Sequence, residues 1–434
     1  MSSLAMLGGS PVITKPLPGY RSIGPDEQKA VLRVMETGSL SGFYGSWDDQ
    51  FFGGTEVKAL EKEWSERFGC KYAISVNSNT SGLCAAMGAI GVSPGDEVIV
   101  SPYTMSATAM APLFYGGIPI FADIDPATFC MSPEDAREKI TPRTKAILVT
   151  NLFGQAAELH ELRQICEDNN IFLVEDAAQS PNAYERGKHS GTIGDIGVYS
   201  LNYHKHIHSG EGGICVTNDP HLARRMQMIR NHAEAVAEAS GETDLTNLVG
   251  YNFRMTELSA AVARTQLKNI NQHVAPRVQI AEALTKTASE IDFLTPPYVK
   301  DGCNHVYYVW AAKFNQNIAG IPRDLFSKAL TAEGFPHFQG YLRPLYKLPL
   351  FQQKIAIGRN GFPFNLHDTN YNEVLCPVAE DMHYNQLIGF EPCAFSLVTS
   401  DIQKLQDALQ KVASNIDDLR EYYHSVLQEG SPQK

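Results

Sequence analysis

The sequence predicts an α/β protein: a large domain built on a mostly parallel sheet between helices, followed by a smaller C-terminal α+β domain. Three observations carry this. Short apolar runs (KYAISV, DEVIV, IPIFADI, KAILVT, IFLVED) alternate with stretches of helical spacing between residues 71 and 176, the rhythm of strand–helix–strand units in a parallel sheet. Past Asp195 the runs shorten to IGVYSL and GGICVTN around a glycine-rich corner. The last third, with HVYYVWAAKF and a helical pattern over residues 401–423, abandons the alternation.

Along the chain, apolar spacing predicts a helix over residues 25–37. A glycine- and aromatic-rich loop follows over residues 41–54, either a binding lid or a packed connector. A helix over residues 56–68 stops at Gly69, a residue suited to a left-handed helix end. Further helices are expected over residues 80–90, 107–115, 132–140 and 159–169. MTELSAAVARTQLKNI, residues 255–270, is an amphipathic helix with a Thr/Glu start. The expected division is an arm over residues 1–24, a large domain over 25–275 and a small domain over 276–430. In a sheet of this kind ligands sit beyond the carboxyl ends of the strands.

Composition excludes several classes. With 434 residues, 43% hydrophobic and 19% charged, the chain can bury a large core. A net charge of -12 argues against a general nucleic-acid or anionic-membrane surface, because Lys and Arg neutralise phosphates. Eight cysteines stand singly without a C-x-x-C pair, as buried thiols in a reducing cytosol do. Neither a secretory leader nor a long apolar span is present in the sequence, so a cytoplasmic location is expected.

Three places could carry chemistry. Asp176 ends a buried strand, where a carboxylate can pair with a protonated heterocycle, although a helix cap or metal ligand looks the same in sequence. Thr80, in SVNSNTSGL, stands where a strand turns into a helix, a natural phosphate site or a simple N-cap. In YSLNYHKHIHSGEGG the glycines fit neither a P-loop nor a dinucleotide fingerprint. Lys205 there is either solvated or a Schiff-base amine. His204, His206 and His208 alternate, with His189 upstream, and raise the question of zinc. No familiar ligand pair accompanies them, so no metal is expected and a role in tuning Lys205 or bonding substrate is favoured.

Taken in order, these segments resemble the pyridoxal 5'-phosphate (PLP)-dependent sugar aminotransferases of the DegT/StrS type, which have the fold of aspartate aminotransferase (fold type I). Glu175, Asp176, Ala177, Ala178 and Gln179 fit the E-D-x-A-Q stretch. Gly194, Asp195, Ser200, Lys205, Ile207 and Gly210 to Gly213 fit the lysine-bearing stretch. The resemblance implies a seven-stranded sheet and PLP as cofactor, with Lys205 as its Schiff-base lysine and Asp176 at the pyridinium nitrogen. Gln179 would meet the ring hydroxyl, and Thr80, Ser81 and Ser200 the phosphate. Asn252, in GYNFRMTEL, would reach the phosphate of a neighbouring subunit, which implies a homodimer with shared sites. Similar proteins with histidine at the lysine position are sugar dehydratases. Here Ser200 lies five residues before and Gly210 five after Lys205, which puts lysine at that position.

Met105 stands where the family has an aromatic residue stacked on the ring, with Tyr103 nearby. Asn79 replaces the usual glycine, Leu201 the usual phenylalanine, and the loop over residues 41–54 is long. The implied activity is transfer of an amino group from L-glutamate or glutamine to a keto sugar in amino-sugar biosynthesis. A nucleotide-linked ketohexose is the first expectation. A keto-cyclitol, which GYLRPLYKLPLF also suggests, a keto sugar acid and a dehydratase activity follow. Tyr103, His208, Arg343 and Tyr346 are candidate acceptor contacts, each with a packing or surface role as the alternative.

Overall fold

The computed structural model describes residues 3–429. Residues 1, 2 and 430, counted in the expected arm and small domain, lie outside the described residues. The strands are β1 (Tyr72–Val76), β2 (Glu97–Val100), β3 (Ile118–Phe121), β4 (Thr144–Thr150), β5 (Phe172–Asp176), a hairpin of β6 (Tyr184–Glu185) and β7 (Lys188–His189), β8 (Ile196–Ser200) and β9 (Gly213–Thr217). Seven of them form one sheet in the order β1-β9-β8-β5-β4-β2-β3. The pairs β2–β3, β2–β4, β4–β5 and β5–β8 are parallel, and β9 runs against both its neighbours. Every residue of β2 and β8 is buried, as strands covered by helices on both faces must be. A second, antiparallel sheet in the order β10-β11-β13-β12 joins β10 (Leu294–Thr295), β11 (Trp310–Phe314), β12 (Phe338–Gln339) and β13 (Leu387–Phe390).

The helices Pro25–Thr37 and Leu159–Asn169 have their expected bounds. The stretch over residues 107–115 does not continue as one helix. It breaks into Ala107–Met110 and the 3-10 turn Pro112–Tyr115, because Pro112 has no amide proton to give. The C-terminal pattern likewise divides at Asn415, into Thr399–Ser414 and Ile416–Glu429.

The helix Ile270–Ala288 runs unbroken through residue 275. Ile270 and Val274 pack beneath the large sheet, whereas Ile280, Ala281 and Leu284 pack on the small one together with Leu4 and Ile13. Conversely, Tyr346, Phe351 and Tyr371 from the last third pack around Phe121 of β3. The loop over residues 41–54 is a packed connector. Phe43 and Phe51 are buried, the Asn231 amide donates to Tyr44 O and Phe51 O, and the Arg230 guanidinium lies 4.7 Å from the Phe43 ring. Among the described residues no helix is long and apolar enough to cross a membrane, and all eight cysteines are free.

Candidate active site

β5, β8 and the turn after β1 deliver their carboxyl ends to one cavity of about 210 Å³. Lys205, Asp176, Gln179, Thr80, Ser200 and Met105, all singled out in the sequence, line it. A larger surface cavity of about 580 Å³ among Arg33, Glu63, Arg67 and Arg264 contains none of them.

Asp176 is the last residue of β5 and is buried. Its Oδ2 accepts from Thr108 Oγ1 at 2.9 Å, and Oδ1 accepts from Asn79 Nδ2 and the Ala178 N–H, both at 3.2 Å. Burial pushes its pKa up. The Thr108 hydroxyl, the Ala178 N–H, the Lys205 charge and Asn79 pull the other way. Lys205, 7% exposed, shows the opposite shift. Burial lowers its pKa to about 8, opposed chiefly by Asp176. The amine is thereby brought within reach of a neutral form near physiological pH, as a nucleophile and proton carrier requires.

Gln179 has its amide orientation fixed, since Oε1 accepts from the Phe153 N–H at 2.8 Å and Nε2 donates to Tyr341 Oη at 3.1 Å. Thr80 lies in the first turn of the helix Asn79–Ala89, whose N-cap Ser78 accepts from the Ser81 N–H. First-turn amides lack intrahelical acceptors and face an anion favourably. Ser200 Oγ, across the cavity, accepts from the Asn202 N–H at 3.2 Å. Met105 lies at the mouth, 54% exposed.

Other candidates fall elsewhere. Ser81 does not line the cavity, and its hydroxyl donates to Asn77 Oδ1 at 2.5 Å. Asn252 is exposed outside this chain's own cavity and accepts from Arg254 Nε. Tyr103 lies wholly buried behind the wall, edge-on to Tyr341. His208 bonds Ser22 Oγ at 2.7 Å, Arg343 is exposed away from the cavity, and Tyr346 sits in the core with its hydroxyl donated to Glu380. The alternating histidines diverge. His206 is buried with Nε2 2.8 Å from Val306 O, and His204 lines the cavity with its pKa lowered to about 4 by burial.

Thr104, Thr108, Tyr308 and Tyr341 belong to the site and were not legible in the sequence. Thr108 lies in a segment of small residues, and Tyr308 and Tyr341 come from the last third of the chain. Among the described residues Thr104 Oγ1, buried at the cavity wall, has no hydrogen-bond partner, so a ligand could supply one. A buried acid, a lysine of lowered pKa, hydroxyls beside a helix start and this orphan hydroxyl together fit PLP, which presents a basic ring nitrogen, an aldehyde and a phosphate.

Comparison with known proteins agrees. The model of the DegT/DnrJ/EryC1/StrS aminotransferase family matches residues 45–387. L-Glutamine:2-deoxy-scyllo-inosose aminotransferase of Streptoalloteichus tenebrarius is 31% identical, covering 96% of this chain and 99% of its own. GDP-perosamine synthase of Caulobacter vibrioides is 31% identical over 75% of this chain and 83% of its own. The solved aminotransferase of Psychrobacter cryohalolentis superposes with a TM-score of 0.79 at 27% identity, covering 93% of this chain and all of that one. The chain belongs to the DegT/DnrJ/EryC1/StrS aminotransferase family, with a fold of type I and PLP as its cofactor.

Proposed function

We propose that this cavity moves an amino group from L-glutamine or L-glutamate onto the keto carbon of a polyhydroxylated ring, a keto-cyclitol in the first place. The observation that carries the transfer itself is Lys205, buried with its pKa lowered to about 8 in the same cavity as Asp176. Bound PLP supplies an electron-withdrawing ring and carries the amino group between the two substrates. Lys205 Nζ takes the proton from the donor's α-carbon and returns one to the acceptor carbon. Asp176 would keep the ring nitrogen protonated, and the Gln179 amide would meet the ring hydroxyl. Thr80, Ser200 and the first-turn amides would hold the phosphate. Tyr308, Tyr341 and Met105 narrow the cavity and keep water from the reacting atoms. The exposed Asn252 would face the phosphate of a second copy, making a homodimer the working form.

The end-to-end match to the scyllo-inosose aminotransferase favours a free cyclitol acceptor. The shorter match to GDP-perosamine synthase supports a nucleotide-linked keto sugar as the second reading. The test is a panel of keto-cyclitols and nucleotide-linked ketohexoses incubated with glutamine or glutamate, with the aminated product weighed by mass spectrometry. Amination of the nucleotide-linked ketones alone selects the second reading. Transfer that survives Lys205→Ala, or amination of no ketone in the panel, overturns the proposal.

A further inference from the structure

Among the described residues Lys205 Nζ has neither a hydrogen bond nor an ion pair, and the face of Tyr308 lies 4.0 Å from it, measured to the ring centroid. Asp176 from β5, and Glu391 and Cys393 from the segment after β13, face the amine electrostatically without touching it. Of these Cys393 is uncharged near neutral pH, since burial pushes its thiol up to about 11. His204 and His206, beside Lys205 in sequence, are uncharged as well, lowered to about 4 and about 3 by burial. Burial also pushes the Tyr308 phenol up, so the ring is neutral.

The backbone on either side of Tyr308 is tied to the turn at Phe153 and Gly154. The Val306 N–H donates to Gly154 O at 2.8 Å and the Val309 N–H to Phe153 O at 3.1 Å, while Val306 O faces His206 Nε2 at 2.8 Å. Phe153 and Tyr307 both adopt left-handed backbone, at φ 61° and 51°. Gly154, at φ 107°, lies so close that a Cβ there would meet the backbone nitrogens of Tyr307 and Tyr308 at 2.8 Å. Such strain persists only where the surroundings enforce it, and what it secures here is a phenol ring flat against an amine. Met105, 54% exposed at the mouth, offers no comparable face.

We propose that Tyr308 is a positioning residue for Lys205, its ring face holding the free amine in place and favouring the protonated form from which it returns a proton to the acceptor carbon. The inference rests on Lys205 being the transferring amine. A ring quadrupole attracts an ammonium, and more strongly where water is excluded. Tyr308 thus opposes the burial that would otherwise strip the proton from the amine, and it keeps Nζ from swinging out of reach of the substrate carbon.

The test follows the acylation of Lys205 by acetic anhydride against pH in the full-length, cofactor-free chain, read by peptide mass spectrometry. Tyr308→Leu removes the ring and should move the midpoint down by roughly 0.5 to 1.5 pH units. Tyr308→Phe keeps the face and should leave it close to that of the unmodified chain. Pentafluorophenylalanine at position 308 keeps the ring shape while reversing its quadrupole, so it should move the midpoint in the direction of leucine, even if the leucine variant fails to fold. A midpoint unmoved by both leucine and the fluorinated ring, or moved as far by phenylalanine as by leucine, overturns the assignment. Failure of the aminotransfer reading would show separately, as transfer that survives Lys205→Ala.

Discussion

Two neighbouring acids end β5 and point to opposite faces of the sheet, and their surroundings differ in kind. Glu175 is wholly buried and accepts from the N–H groups of Gly191, Ile193 and Gly194 at 2.5, 2.9 and 2.7 Å, and from Asn151 Nδ2 at 3.0 Å. Its acceptor capacity is spent on its own chain, stitching the loop before β8 to the sheet. Asp176 is equally deep, but its three donors lie at 2.9 to 3.2 Å and two are side chains. Burial pushes both acids up in pKa. The difference lies in what remains: Glu175 is a finished structural clamp, and Asp176 faces a cavity in which a cation can complete it.

The sharpest way to break this contrast is to neutralise each acid without changing its shape. Asp176→Asn should lower kcat/KM for aminotransfer by about 10³-fold, roughly 4 kcal/mol of barrier. Its unfolding free energy from urea titration should change by less than about 1 kcal/mol, because Thr108 retains an acceptor. Glu175→Gln should do the reverse. Its new NH2 group would face backbone donors and leave them unpaired, at a stability loss of about 3 kcal/mol, with activity per folded molecule retained within about tenfold. If the aspartate variant loses stability as heavily as activity, the two acids are alike and the functional reading of Asp176 fails.

Lys205 gives the next largest effect. Its folded pKa of about 8 lies below the ordinary 10.5, so between those values the unfolded chain binds more protons than the folded one. Stability of the cofactor-free protein from this group therefore rises with pH from about 8 to 10.5 and is lowest below 8. Lys205→Met removes that penalty. It should stabilise the cofactor-free protein by roughly 3 kcal/mol at pH 7, with the gain fading towards pH 10.5. Urea midpoints of both proteins across that range check it, and a gain independent of pH would mean that methionine merely packs better.

What the sequence disclosed about this region follows from distance along the chain. Asp176 ends a buried apolar run in the alternating stretch, so local patterning reaches it, whereas Ser200 and Lys205 were reached only through the spacing of the family stretch they resemble. Tyr341 meets Gln179 across 162 residues, and Tyr308 meets Lys205 through the left-handed corner at Tyr307. No periodicity encodes either. Polar identity misled for the same reason. Tyr346 and His208 carry groups suited to substrate, yet the fold spends them on Glu380 and Ser22. The parallel sheet was legible because its order is written in successive apolar runs. The way residue 275 lies inside a helix shared by two cores was not, because one amphipathic pattern cannot say which core takes which turn.

The smallest expected effect concerns Asn79, where the family resemblance leads one to expect glycine. Its Nδ2 donates to Asp176 Oδ1 at 3.2 Å and to Val198 O at 3.0 Å, tying the helix start to the end of β5 and the middle of β8. A donor to a carboxylate favours its charged form, so Asn79→Gly should raise the Asp176 pKa further. The bond is long, and its loss should amount to about 1 kcal/mol or less, less than one pH unit. The acid limb of kcat/KM should therefore move to higher pH by a few tenths of a unit, with the rate at pH 8 within about twofold. A pH–rate profile reads this directly. An unmoved acid limb would show that Thr108 and Ala178 suffice to hold Asp176, bringing it closer to the self-sufficient clamp of Glu175 than its open side suggests.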